Sequence, residues 1–554
     1  MQSSSRSKKA IQWLGLFLGP ALATACMIWL PADYIPAQPP EATSVAQTSS
    51  PKEAAATEAP DDSMANDLMT YERVGEAESP IETSEFSWEG RATLAVMVWM
   101  GLWWLTEAIE ISATALLPLV LFPLLGAADI RAASAPYANY LIFLYFGGFI
   151  LALSMERWGL GKRIALLTLS LIGTSASRMI AGFMVVTAVL SAFVSNTATT
   201  AMMLPIALST IALVQGKTPE EDTDGRTTTQ FGTCLLLGIA YAASVGGIMT
   251  IIGTPTNAFL IGFLERNIAA PYRYRFDFSS WLPIGLSLTV VFLPIIYLLL
   301  TKVLFPIRGI ELQGGKELIR TELKRLGSVN RGEWITFLVF IGAVVGWLFR
   351  PLIARIEFAW QGEIYTPLSG ISDTGIAMTA AISLFLIPTS IQEREFAMDW
   401  KTVNKMPWGI LIMFGGGLSL ATAIANNGVA EFLGSYAGRI GDLPIFLTVL
   451  LVTAAIVFMT ELTSNVATTT SLVPVLAAVA PGIGIHPYLL IIPATVAASC
   501  AFMLPVATPP NAIVFGSGEI ELPQMIRAGV VLNILALFVV TILTFVVIKP
   551  WMGI

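Results

Sequence analysis

Ser195-Asn196-Thr197-Ala198-Thr199-Thr200-Ala201-Met202-Met203-Leu204-Pro205 recurs as Ser464-Asn465-Val466-Ala467-Thr468-Thr469-Thr470-Ser471-Leu472-Val473-Pro474. Six of the eleven positions are identical, and the proline stands ten residues after the serine in both. Upstream, Phe146-Gly147-Gly148 is matched by Phe414-Gly415-Gly416, with the first glycine 48 and 49 residues before its serine. Downstream, Gly253-Thr254-Pro255-Thr256-Asn257 is matched by Ala507-Thr508-Pro509-Pro510-Asn511. Three landmarks in one order mark a duplicated chain.

The surroundings of these landmarks are apolar. Hydrophobic residues make up 55% of the 554-residue chain and charged residues 12%, about half the charged share of a soluble domain. One water-soluble core cannot absorb that imbalance, and many apolar runs approach the ~20 residues that a helix needs to cross a bilayer. The predicted fold class is therefore an all-α polytopic membrane protein, with the lipid bilayer as its surroundings and no nucleic acid as partner. Cys26, Cys234 and Cys500 are widely spaced and offer neither a disulfide framework nor a metal site. The single histidine, His486, precedes Pro487 at a helix entrance and reads as an interfacial or capping residue. Transition-metal chemistry and Ser-His-Asp catalysis have almost no material here.

Charge sets the expected topology. The N-terminus carries Arg6, Lys8 and Lys9 before the apolar run Ile11–Leu30, which is read as an uncleaved first helix. Residues 31–90 are rich in Asp, Glu, Ala, Pro, Thr and Ser, with Lys52 and Arg73 as their interior cations, and read as a solvated acidic external loop. Residues 301–335 hold Lys302, Arg308, Lys316, Arg320, Lys324, Arg325 and Arg331 against four Glu. Positive charge favours the cytoplasmic side, so the acidic and basic loops belong on opposite sides and an odd number of crossings must separate them. That parity holds only if 179–216, which contains Ser195-Asn196 and Pro205, returns to the side it came from as a re-entrant hairpin. The second half repeats the pattern, with 443–480 as its hairpin. The expectation is about eleven transmembrane helices plus two re-entrant hairpins, an inner-membrane location, a cytoplasmic N-terminus and an external C-terminus. The divisions are 1–30 (first helix), 31–90 (acidic loop), 91–302 (first inverted repeat), 303–333 (basic cytoplasmic loop) and 334–554 (second inverted repeat). Inverted repeats with matching Gly/Pro-interrupted segments point to the midplane site of a secondary transporter.

Ser, Asn and Thr inside apolar segments need partners; they either cap the following helix or face a ligand. Pro255 and Pro509 disrupt the helix around them, so each segment should be two half-helices with an unwound turn between. Freed carbonyls there suit a cation, and half-helix N-termini suit an anion. Residues 179–216 and 232–264 contain no charged residue, and 462–518 contains no Asp, Glu, Lys or Arg. A dianion bound at these motifs would have no basic clamp, which favours an anion carried together with cations. Glu461 adjoins the second motif and either structures its hairpin or pairs with a cation.

The paired motifs resemble those of the divalent anion/sodium symporter family, which carries dicarboxylates, citrate or sulfate. The resemblance covers roughly 92–550. It implies a homodimer, scaffold and transport domains in each protomer, an elevator-type movement and Na+ as the co-transported ion. It also implies that Ser191, Ser195, Asn196 and Gly253 form one sodium site, and Thr460, Ser464, Asn465 and Ala507 the other. The substrate would contact Asn196, Thr197, Thr254, Pro255, Asn465, Thr508 and Pro509. Three features depart from the family pattern: Val466 stands where the second motif has threonine, Thr256 where many members have a second proline, and the acidic loop is long. The expected function is sodium-coupled symport of C4-dicarboxylates such as succinate, malate and fumarate. The alternatives are a sodium-independent dicarboxylate exchanger, a sodium-coupled citrate or sulfate transporter, a passive channel and an intramembrane enzyme. The enzyme lacks a nucleophile–base pair in the spans.

Overall fold

The computed structural model describes residues 2–31, 33–34, 84–171, 175–215, 226–268, 272, 274, 276–307, 315–360, 363–438 and 443–554. Most of the acidic loop, residues 35–83, lies outside the described residues. The first half comprises α1 (Gln2–Trp29), α2 (Trp88–Thr106), α3 (Ile111–Thr114), α4 (Leu117–Leu125), α5 (Ile130–Ser134), α6 (Tyr140–Arg157), α7 (Leu160–Leu171), α8 (Ala176–Ser191), α9 (Asn196–Gln215), α10 (Arg226–Ile248), α11 (Pro255–Asn267) and α12 (Phe278–Leu298). The second comprises α13 (Gly315–Arg325), α14 (Arg331–Ile353), α15 (Asp373–Leu386), α16 (Trp400–Val403), α17 (Trp408–Asn426), α18 (Val429–Ala437), α19 (Ile445–Thr460), α20 (Asn465–Gly482), α21 (Tyr488–Ala498), α22 (Pro509–Phe515) and α23 (Leu522–Leu543).

Among the described residues, eight helices are long and apolar enough to cross a bilayer, and five more are apolar over 10–17 residues. Burial separates two kinds. The apolar window of α10 is buried along its whole length, whereas that of α1 is 17% buried and displays Trp13, Phe17 and Trp29 outward. In water such a surface would aggregate; in lipid it is the solvent-facing side.

The helix starts follow local chemistry. Asp129 and Asp399 cap α5 and α16 by accepting from Ala132 N and Thr402 N. Each short helix leads into the long helix that carries a Phe-Gly-Gly landmark. The duplication therefore reaches upstream of the motifs, into a short helix that hydropathy overlooks. Asp277 with Ser280, and Asn330 with Glu333, form capping boxes on α12 and α14.

The two motif-bearing pairs, α8–α9 and α19–α20, meet at short turns that contain Ser195 and Ser464. Helix α12 serves as a ruler for their directions. Near its C-terminal end the Tyr297 hydroxyl donates to Ser177 O at the base of α8. Just before its N-terminal end, Tyr274 N donates to the Tyr488 hydroxyl where α20 turns into α21. The bases of the two pairs thus lie against opposite ends of a helix about 30 Å long. Lys162 and Arg163 at the start of α7 pair with Glu322 of α13 (3.4 Å) and Glu333 of α14 (2.8 Å). Those basic residues and the basic loop consequently share one end of the bundle.

The structure adds elements that hydropathy did not reveal. Residues 303–333 are not only a loop, because they contain the amphipathic helix α13, whose Ile319 is buried. Helices α7 and α18 are short connectors. Three two-stranded pairings, Asp33–Tyr34 with Ser84–Glu85, Phe358–Trp360 with Glu363–Tyr365 and Pro388–Ser390 with Glu395–Phe396, close connections at helix ends.

Close helix contact depends on glycine. A Cβ on Gly246 of α10 would stand 2.3 Å from Ala188 O and 2.4 Å from Ala188 Cα on α8. Gly246→Val should therefore lower stability by about 1–3 kcal/mol or more, seen as a lower unfolding temperature in detergent. Gly101→Ala, whose Cβ meets nothing within 4 Å, is the control that leaves that temperature unchanged.

Candidate functional site

Both predicted helix breaks are present. Helix α10 stops at Ile248 and α11 begins at Pro255; α21 stops at Ala498 and α22 begins at Pro509. Proline cannot donate into the preceding turn but fits the first turn of a new helix. The freed carbonyls are taken up by a matched asparagine in each half. Asn257 Nδ2 donates to Ile248 O (3.1 Å) and Thr250 O (2.9 Å). Asn511 Nδ2 donates to Ala501 O (3.3 Å) and Leu504 O (3.1 Å). Gly285 of α12 and Gly529 of α23 let those helices press directly on the breaks: a Cβ would stand 2.4 Å from Met249 O at the first and 2.3 Å from Phe502 O at the second. Thr256 and Ser499 hydroxyls lie 3.0 Å apart and join the two breaks.

At each tip three oxygens converge on one proton. The Ser191 hydroxyl lies 2.6 Å from Asn196 Oδ1 and 2.7 Å from the Ala243 carbonyl oxygen. The Thr460 hydroxyl lies 2.7 Å from Asn465 Oδ1 and 3.0 Å from the Ala498 carbonyl oxygen. A hydroxyl has one proton for two acceptors, so lone pairs remain in surroundings where Ser191 and Thr460 are fully buried. An oxygen-only donor set of hydroxyl, amide and carbonyl fits a hard cation such as sodium and not a soft one. Gly253 packs beside the first set, where a Cβ would stand 2.4 Å from Gly247 O and 2.9 Å from Ala192 O.

Between the tips and breaks lies a cavity of about 940 Å³. Its wall includes Ser195, Asn196, Thr197, Gly253, Thr254 and Pro255 from the first half. From the second half it includes Ser464, Asn465, Ala507, Thr508 and Pro509. Ser191 and Thr460 stand behind this wall. The N-termini of α9, α11, α20 and α22 begin at residues of that wall, and each presents free N–H groups and positive dipole. Among the described residues, Glu107, at the end of α2, is the charged side chain of the lining, and no Lys, Arg or His lines it. Ser195 also caps, its hydroxyl accepting from Ala198 N at 3.2 Å. Ser464 makes no such bond.

Glu461 does not face the cavity. Its buried carboxylate accepts from Phe502 N (2.7 Å), Met503 N (2.9 Å) and Leu504 N (3.0 Å) in the second break, and from Asn533 Nδ2 (2.7 Å) on α23. Of the two roles left open by sequence, the structuring one fits. The first half places Ala192 at this position, whose carbonyl accepts from the Thr250 hydroxyl.

Sequence reasoning did not single out Tyr145, whose hydroxyl donates to Ile251 O and which lines the cavity, or Ile11 of α1 at its edge. His486 accepts from Tyr488 N at 3.3 Å and meets Tyr272 edge-on, and burial pushes its pKa down to about 4. It acts as a neutral cap.

Glu461→Gln keeps the shape but replaces one carboxylate oxygen by an amide that faces N–H donors. Hydrogen bonds to charged groups contribute about 1.5–3 kcal/mol each. The variant should unfold at a clearly lower temperature in detergent, as read by intrinsic fluorescence; an unchanged midpoint would remove Glu461 from the clamp.

Residues 83–553 match the family described as sodium:sulfate symporter transmembrane region. The chain is 39% identical over 467 residues to the sodium-dependent dicarboxylate transporter SdcS of Staphylococcus saprophyticus, covering 84% of this chain and 88% of that protein. It is 39% identical over 471 residues to SdcS of Staphylococcus aureus strain USA300, covering 85% and 88%. Among solved structures, the YdaH transporter of Alcanivorax borkumensis superposes with a TM-score of 0.53 at 14% identity, over 83% of this chain and 98% of that one. MtrF of Neisseria gonorrhoeae does so with 0.51 at 9%, over 97% and 94%. At those identities the likeness is one of fold. Extent of match and identity together make the chain a member of the sodium:sulfate symporter family, a multi-pass membrane transporter and not an enzyme, from a family with Na+ as its co-transported ion.

Proposed function

We propose that the chain is a sodium-coupled symporter of C4-dicarboxylates such as succinate, malate and fumarate. The observation that carries this reading is the cavity: four helix N-termini meet in a wall that, among the described residues, has no cationic side chain, and an oxygen triad lies behind each tip. A dianion brought there with no counter-charge would bear a large desolvation penalty. Helix dipoles offset part of it, and sodium ions held by the triads offset more. Anion and cation binding then support each other, which is the physical basis of coupling. The relatives' description as sodium-dependent dicarboxylate transporters supports the choice of substrate class.

In this account Ser191, Ser195, Asn196 and Gly253 hold one sodium ion, and Thr460, Ser464, Asn465 and Ala507 hold another. Asn196, Thr197, Thr254, Pro255, Asn465, Thr508 and Pro509 receive the substrate. The pairs α8–α9 and α19–α20 are re-entrant hairpins, and broken or short helices complete eleven crossings. The N-terminus and basic loop are cytoplasmic, and the C-terminus and acidic loop external. Helices α8–α12 and α19–α23 form a transport domain that moves as an elevator against a scaffold of the remaining helices, within a homodimer in the inner membrane.

Purified protein in proteoliposomes should accumulate labelled succinate under an inward sodium gradient and not under potassium alone. Asn196→Ala and Asn465→Ala should each reduce that uptake to the level of empty vesicles while the protein stays folded. Equal uptake in potassium would reject symport, and normal uptake by both variants would reject the site.

A further inference from the structure

The two tips align residue for residue, Ser191–Thr197 against Thr460–Val466, and within that frame a hydroxyl changes place. The first tip has Val194 and Thr197; the second has Thr463 and Val466. Their surroundings follow the exchange. Val194 is buried and absent from the cavity wall, whereas Thr463 is half-buried and part of it. Thr197 and Val466 both line the cavity. The second tip thus carries its hydroxyl three residues earlier, in the turn before α20 rather than in the first turn of the helix.

The proton on Thr463 is available. Its Oγ1 lies 2.7 Å from Thr468 Oγ1 and 3.0 Å from Met459 O. Thr468 is fully buried, and donating to Thr463 satisfies it. Thr199, its counterpart in the first tip, has a buried hydroxyl with no hydrogen-bond partner among the described residues. With one lone pair of Thr463 receiving from Thr468, its own proton rests on the Met459 carbonyl. Rotation about Cβ–Oγ1 frees that proton for another acceptor without moving a heavy atom. A carboxylate oxygen is the stronger acceptor, since charge-assisted hydrogen bonds are roughly twice as strong as neutral ones.

We propose that Thr463 supplies the carboxylate-binding hydroxyl that Val466 cannot, so that the second carboxylate subsite is set by Thr463 and the dianion is selected by an asymmetric Thr197–Thr463 pair. This inference rests on the dicarboxylate reading above.

The test is sodium-driven uptake in proteoliposomes by the wild-type chain, Thr463→Val, Thr463→Ser and the double exchange Thr463→Val with Val466→Thr. Thermal stability in sodium without substrate is measured for each. Loss of one hydrogen bond to a charged group corresponds to a rise of about tenfold or more in the succinate KM. Thr463→Val should show that rise with its half-saturating sodium concentration within about twofold of wild type. Thr463→Ser should return close to wild type. The double exchange should recover succinate uptake with an altered ratio of succinate to glutarate KM, because its hydroxyl sits elsewhere. Should valine prevent folding, Thr463→Ala removes the same hydroxyl and carries the same expectation. A succinate KM within about twofold of wild type in Thr463→Val or Thr463→Ala overturns the inference alone. So does a Thr463→Ser variant as impaired as Thr463→Val, which would assign Thr463 a packing role. A wild-type chain without sodium-driven succinate uptake would overturn the dicarboxylate reading and this inference with it.

Discussion

A helix interrupted inside an apolar medium frees backbone groups that no water can satisfy, and each such group costs several kcal/mol if left alone. Everything at the centre of this protein depends on how the two interruptions are paid off in hydrogen bonds. Asn257 and Asn511 reach back from the first turns of α11 and α22 to the freed carbonyls. The N–H groups of the longer second break find a carboxylate, Glu461, which Asn533 also holds. In the first break a threonine hydroxyl and the Ala192 carbonyl occupy the corresponding place. The halves therefore share a plan and differ in chemistry where the second has more backbone to hold.

Because the breaks are held by groups behind them, the helix starts are left facing forward. Four N-termini open toward one cavity, and their dipoles supply positive potential where the described lining has no cationic side chain. In the proposed account the triads centred on Ser191 and Thr460 supply oxygen ligands for sodium behind the wall. On that reading the site holds an anion well only while the cations are present. A lysine or arginine in the same wall would hold the anion permanently and weaken that dependence.

The duplication, the helix breaks and the residues that meet around the cavity were legible in the sequence, because each leaves a mark in side-chain identity. Other features left no mark. The third oxygen of each triad is a backbone carbonyl, Ala243 or Ala498, and any residue could provide it. The partners of Glu461 lie 41 to 72 residues away, so sequence could not choose between a structural and an ionic role. Helices α7, α13 and α18 are too short or too amphipathic for a hydropathy argument to find. Asn257 and Asn511 were visible as repeated residues, but their work on the freed carbonyls depends on distances. Thr463 stands just before the repeated motif, and its importance emerges when burial distinguishes it from Val194.

In the proposed account the two oxygen triads behind the tips bind sodium, and they can do so without the substrate because their oxygens belong to the protein. The most direct measurement is the unfolding temperature of the purified protein, without substrate, as sodium chloride replaces choline or potassium chloride at constant ionic strength. A ligand that binds the folded state raises stability with its concentration. The account predicts a saturating rise with sodium, steeper than a single site gives, and none with potassium or choline. The same rise with all three cations would contradict it.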